Sequence, residues 1–208
     1  MFISLEGIDF CGKTTQVELL DKYFKSKGKE VLIIREPGGT LISEKIRDVL
    51  LDKSNHSMFY ETELFLFSAS RAQLVREKIK PSLSNGIYVI SDRFHDSSTA
   101  YQGYGRGIDI DLIKCIHKLA IDDVVPDLTF YLDIPIEVFE ERKKLKKGSD
   151  HDRIEVSESS FYSDVRKGYL ELCRSERRIR LIDGTLSIDK IHELIVKEVM
   201  NFEKTPEV

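Results

Sequence analysis

Five short runs of apolar and β-branched residues recur along the chain: MFISLE (1–6), VLIIRE (31–36), IYVISD (87–92), LTFYLDI (128–134) and RLID (180–183). They are nearly continuous rather than alternating, which is the pattern of strands buried on both faces of a parallel sheet. Between them, apolar residues recur three and four positions apart. This spacing predicts helices over 13–27, ending at Gly28; 60–80, ending before Pro81; 109–122, opened by Asp109; 135–147, with Pro135 near its first turn; and 187–203, opened by Ser187. Strands alternating with helices at this rhythm imply right-handed crossovers. The expected fold is α/β: a three-layer, doubly wound, parallel five-stranded sheet in one domain spanning 1–208.

Composition narrows the function classes. The chain has 208 residues, enough for one sizeable core, and no linker-like tract divides it. Its formal net charge of −4 offers no general basic face for nucleic acid, so any anionic partner must be held locally. Cys11, Cys115 and Cys173 are odd in number and form no CxxC pattern, which argues against disulfide and zinc frameworks and for a reducing compartment. The five histidines show no ligand spacing. No membrane-length apolar run or signal peptide is present, so a cytoplasmic location is expected.

The junction after the first strand carries the chemistry. GIDFCGKTT (7–15) matches G-x-x-x-x-G-K-[ST] in the strand, loop and helix context that motif requires. Gly7 and Gly12 permit backbone conformations that a Cβ would block, so successive N–H groups point at phosphate oxygens. The start of the following helix adds its positive dipole end. Gly7, Ile8, Asp9, Phe10, Cys11, Gly12, Lys13, Thr14 and Thr15 are therefore the expected cradle for the phosphates of a nucleoside triphosphate such as ATP. Lys13 reaches the terminal phosphates and Thr14 ligates Mg²⁺.

What happens to the phosphate depends on the rest of the chain. The third strand ends at Asp92, a position suited to orienting Mg²⁺ or its waters. Arg93 follows it, where many ATPases place a glutamate that polarises water; a cation there suits a second phosphate, against the competing reading of a core ion pair. RKKLKKGSDHDR (142–153) holds six Lys or Arg in twelve positions. Transfer to anything but water needs a site that closes, so this stretch is read as a lid around 142–155, with Arg142 and Arg153 as phosphate contacts. A solvated helix face is the alternative. Two rivals stay open at this point: a broader deoxynucleotide or nucleoside kinase, and a regulatory module that hydrolyses ATP slowly.

Five stretches in order, EGIDFCGKTT, REPGGT, FSASRAQ, DRFHDSSTAYQGYGRG and DRIE, resemble the thymidylate kinases nearly end to end. The resemblance implies transfer of the ATP γ-phosphoryl group to dTMP, with Mg²⁺, in a P-loop kinase architecture. It implies that Asp9 lies near the acceptor's sugar or 5′-phosphate, that Phe67 stacks on thymine, that Arg71 hydrogen-bonds the base and that Arg93 holds the acceptor phosphate. Glu36, from REPGGT, joins the dTMP site, and Ser98, Tyr101 and Gln102 line base and deoxyribose. The expected catalytic set is Lys13, Arg93, Arg142, Arg153 and Asp9, with Thr14 and Asp92 at the metal. Phe67 and Arg71, four apart on a helix, share a face. A homodimer is expected from the resemblance and from the apolar ELFLFSAS segment. Four departures stand out: Phe10 where the family often has glycine, the unusual Cys11, Phe94 in place of Tyr or His, and no arginine between Gly7 and Gly12. The last shifts the expected catalytic cation to the lid.

Overall fold

The computed structural model describes residues 1–145, 152–155 and 157–204. In chain order these form β1 (Phe2–Glu6), α1 (Lys13–Ser26), β2 (Val31–Arg35), α2 (Leu41–Leu51), a 3-10 turn (Lys53–Asn55), α3 (Tyr60–Leu74), a widened π turn (Val75–Ile79) and α4 (Lys80–Ser84). There follow β3 (Tyr88–Asp92), α5 (His95–Ser98), a second π stretch (Thr99–Gly105), α6 (Ile110–Ile121), β4 (Leu128–Asp133), α7 (Ile136–Leu145), α8 (Ser159–Ser175), β5 (Ile179–Asp183) and α9 (Ile188–Lys204).

The five strands form one parallel sheet in the order β2-β3-β1-β4-β5. Alternation along the central strands divides the core between two helical layers. Phe2, Ile34 and Val89 cluster with Leu74, Val75, Ile79 and Ile121 on one side. Ile3, Leu5 and Ile90 cluster with Leu20, Phe24, Ile195 and Val199 on the other. The expected three-layer α/β architecture is the observed one.

The strands differ in one respect from the expectation of two-sided burial. β1 is buried throughout, but β2 and β5 are edge strands, and Ile33 and Leu181 lie 44% and 51% exposed. Pro81 also fails to end its helix. The wide turn at Val75–Ile79 opens the hydrogen-bond ladder just before it, relieving the clash between a proline ring and the preceding turn, and α4 continues to Ser84.

Two longer helices carry no expectation from the sequence. α2 starts at Thr40, whose hydroxyl accepts the N–H of Ser43 at 3.1 Å. It buries only Ser43 and Leu50. α8 buries Phe161, Tyr162, Val165, Gly168 and Tyr169, a regular helical face. It packs on the 99–105 stretch through two glycines. A Cβ on Gly168 would come within 2.7 Å of the Tyr104 ring, and one on Gly105 within 2.6 Å of Phe161. This close approach brings Tyr162 and Tyr169 to the carboxyl ends of the strands.

Candidate functional site

The chain turns sharply between β1 and α1. Gly7 has φ +141, and a Cβ there would meet the Leu132 carbonyl at 2.7 Å; Gly12 has φ +101 and caps α1 without a side-chain bond. Phe10 also has positive φ, +61, which explains why glycine suits this position. Here the phenyl ring offsets the strain by packing on Phe139, with centroids 5.7 Å apart. Ile8 and Cys11 turn their side chains into the core, each 1% exposed. Lys13 is also buried. Its Nζ donates to the carbonyls of Gly7 and Ile8 at 3.1 and 3.0 Å, which fixes the ammonium inside the loop.

The end of β3 meets this loop. Thr14 Oγ1 donates to Asp92 Oδ2 at 2.7 Å, bringing together the two residues expected at the metal. A hydroxyl and a carboxylate beside a phosphate cradle are hard oxygen donors, and such a set fits Mg²⁺ completed by phosphates and water. Among the described residues, no group of three or more acidic, His or Cys side chains could form a separate metal cage.

Arg93 spans the junction. Its Nη1 donates to the Gly7 carbonyl at 2.7 Å, and its Nη2 to Asp9 Oδ1 at 2.6 Å and to the Tyr101 hydroxyl at 3.2 Å. Burial works to raise the Asp9 carboxyl, but Arg93 and Lys13 outweigh it and hold it below its ordinary value. Arg71, 1% exposed, lies deeper. It donates to Glu36 at 2.7 Å, to Ser98 Oγ at 3.0 Å and to the Phe94 carbonyl at 3.2 Å. Phe94 thus contributes its backbone while its ring stays in the core, 5.0 Å from Phe2. Burial pushes the Glu36 carboxyl up, with Arg71 opposing.

These groups line one continuous cleft of about 560 Å³. From the loop it takes Asp9, Phe10, Gly12, Lys13, Thr14 and Thr15; facing them are Glu36, Phe67, Arg71, Asp92, Arg93, Ser98, Tyr101 and Gln102. The two arginines expected in a lid part company. Arg142 lines the cleft and donates to the carbonyls of Phe10 and Gly184 at 3.1 and 3.0 Å. Arg153 lies outside the lining. Its guanidinium is taken by Glu63 Oε2 at 2.6 Å and the Leu50 carbonyl at 2.9 Å, which tie the end of the basic stretch to α2 and α3. The middle of that stretch, 146–151, lies outside the described residues.

Sequence reasoning missed Arg47 on α2, which also lines the cleft and donates to the Pro37 carbonyl at 2.8 Å. It missed Ser97, Asp152 and Glu155 at the cleft wall as well. The signal for Arg47 was the capping threonine that starts its helix.

A glycine-bounded amide loop at the head of a parallel sheet, opening into a cleft with its own buried cations, defines a P-loop kinase. Comparison with known proteins narrows the class. Residues 5–195 match the family model described as thymidylate kinase. A thymidylate kinase from Kosmotoga olearia is 48% identical over 201 residues, covering 96% of this chain and 95% of that protein. One from Thermosipho africanus is 50% identical over 191 residues, covering 92% and 93%. The crystal structure of thymidylate kinase from Ehrlichia chaffeensis superposes with a TM-score of 0.77 at 36% identity, covering 96% of this chain and 98% of that one. The chain belongs to the thymidylate kinase family.

Proposed function

We propose that this chain transfers the γ-phosphoryl group of ATP to dTMP, giving dTDP and ADP. The observation that carries this reading is the single cleft in which Arg93 bonds both the phosphate loop and Asp9 while facing the pocket of Phe67 and Arg71. Donor and acceptor phosphates then meet across one guanidinium. An oxygen of the dTMP phosphate bonds to the γ-phosphorus as the bond to the ADP oxygen breaks. No proton need move, so catalysis is alignment and charge stabilisation.

The loop N–H groups and Lys13 hold the donor phosphates. Thr14 and Asp92 would hold Mg²⁺, which supplies positive charge to the β- and γ-oxygens. Arg93 orients the acceptor phosphate, Asp9 fixes Arg93, and Arg71 meets the base stacked on Phe67. Tyr101, Ser98 and Gln102 border the sugar and base, and Glu36 holds Arg71 in place. The 142–155 stretch acts as the lid of the one domain, with Arg142 at the phosphates and Arg153 anchoring it. Replacing Arg142 with alanine is expected to lower kcat about a hundredfold while dTMP KM moves by less than about threefold. Equal losses in both would make Arg142 a plain binding residue.

ADP release measured with dTMP, dUMP, dCMP, thymidine and water tests the whole reading. Release should require an acceptor nucleotide and be slower with dUMP than with dTMP, since one methyl in an apolar contact is worth about 10 to 200-fold. Release that ignores every acceptor would replace transfer by hydrolysis. We further propose a homodimer formed across α2 and α3, where Leu41, Phe59 and Phe65 are 77%, 77% and 60% exposed. Sedimentation of only a 24.0 kDa species at micromolar concentration would exclude it. A cytoplasmic location is supported by three free cysteines and, among the described residues, by the lack of any helix long and apolar enough to cross a membrane.

A further inference from the structure

Glu6, the last residue of β1, has no role in the scheme so far. It is fully buried, at 0% exposure, directly behind Arg93. One carboxylate oxygen accepts the N–H of Phe94 at 2.7 Å. The other accepts the Ser97 hydroxyl at 2.6 Å and the Tyr169 hydroxyl at 2.8 Å. Those two hydroxyls are also acceptors for Arg93 Nη1, at 3.3 and 3.4 Å. The backbone beside this cluster is strained, since Arg93 has φ +71, a conformation unfavourable for any residue with a Cβ. Its own N–H bonds the Leu5 carbonyl at 3.0 Å, and the next N–H, that of Phe94, is the one Glu6 accepts.

We infer that Glu6 is the positioning residue for the acceptor-phosphate grip: it pins the left-handed turn at Arg93 and orients the Ser97 and Tyr169 hydroxyls so that their lone pairs receive the guanidinium. The reason is directional. A hydroxyl has one proton, and the two hydroxyls also lie 2.8 Å apart; whether both protons point at the carboxylate or one hydroxyl donates to the other and that one to the carboxylate, only lone pairs remain toward Arg93. A donor in place of the second carboxylate oxygen would turn at least one hydroxyl proton toward a guanidinium that has no acceptor to offer. The inference rests on the reading of Arg93 as the acceptor-phosphate ligand.

The groups facing Glu6 are Arg93 and Asp96 from the segment after β3, Tyr169 from α8, and Arg178 from the turn before β5. Burial and the charge of Asp96 push the Glu6 carboxyl up to about 7, against Ser97, Arg93 and the Phe94 N–H. Proton uptake on the acid side removes the acceptor that both hydroxyls need. The grip therefore weakens as pH falls through about 7.

Glu6→Gln keeps the shape and reverses the polarity at one oxygen. It is expected to raise dTMP KM about tenfold or more while ATP KM stays within about twofold. It should also remove the part of the acid-side rise in dTMP KM that Glu6 causes; the titration of dTMP itself, near pH 6, is common to both proteins. A merely structural glutamate would lower the active fraction and move both KM values alike or neither, and that result overturns the inference. Should E6Q not fold, the double variant S97A/Y169F, which removes both relaying hydroxyls, takes its place, and an unchanged dTMP KM there overturns it equally. Arg93→Ala is measured alongside. If R93A leaves dTMP KM unchanged, the reading of Arg93 fails and the inference with it; if R93A raises it and E6Q does not, the inference alone fails.

Discussion

Lys13→Ala is expected to reduce turnover about a thousandfold or more while the protein stays folded. Lys13 sits in the first turn of α1 with its ammonium locked against the Gly7 and Ile8 carbonyls, and in the proposed transfer its charge meets the charge that gathers on the transferring group. Two main-chain hydrogen bonds are lost with it, a cost of about 1–3 kcal/mol, small against a domain of this size. ADP release at saturating substrates, with circular dichroism as the folding control, measures both effects. Turnover within tenfold of the parent would remove Lys13 from the catalytic set.

Arg71→Met is expected to be the most destabilising single change in the site. The Arg71 and Glu36 side chains are 1% and 3% exposed, so methionine fills the volume but leaves a carboxylate buried without its cation. Breaking a buried pair on one side costs about 3–5 kcal/mol, because the remaining charge is neither paired nor hydrated. For a chain of this length that lowers Tm by about 10 °C. The double change Glu36→Gln with Arg71→Met removes the stranded charge and should recover a substantial part of the loss. Urea unfolding of both variants checks this; equal stabilities would mean that packing around Arg71, not the pair, carries its contribution.

The parallel sheet was legible because β1, β3 and β4 run between two helical layers, and a strand covered on both sides must be apolar along its whole length. The phosphate loop was legible because a short chain segment closes it, so the spacing of its glycines is itself the geometry. α2 was not. Three of its large apolar residues, Leu41, Ile42 and Val49, lie exposed and only Leu50 is fully buried, so its periodicity marks the core face poorly, and Arg47 went unnoticed with it. α8 does carry a helical face, but its burial depends on Gly105 and Gly168 meeting residues far away in the chain.

Local chemistry along the chain determined the order of the five strands, the glycine-bounded loop after β1 and the cation that follows Asp92. Those features need only neighbours in sequence. Which of the two arginines of the basic stretch lines the cleft was decided by distant partners: Phe10 and Gly184 receive Arg142, while Glu63 and Leu50 receive Arg153. In the same way, Glu6 looks like an ordinary strand end until β3 and α8 bring Phe94, Ser97 and Tyr169 to its carboxylate. A guanidinium or carboxylate is directed by the hydrogen bonds that desolvation forces it to make, and the folded chain alone supplies those partners.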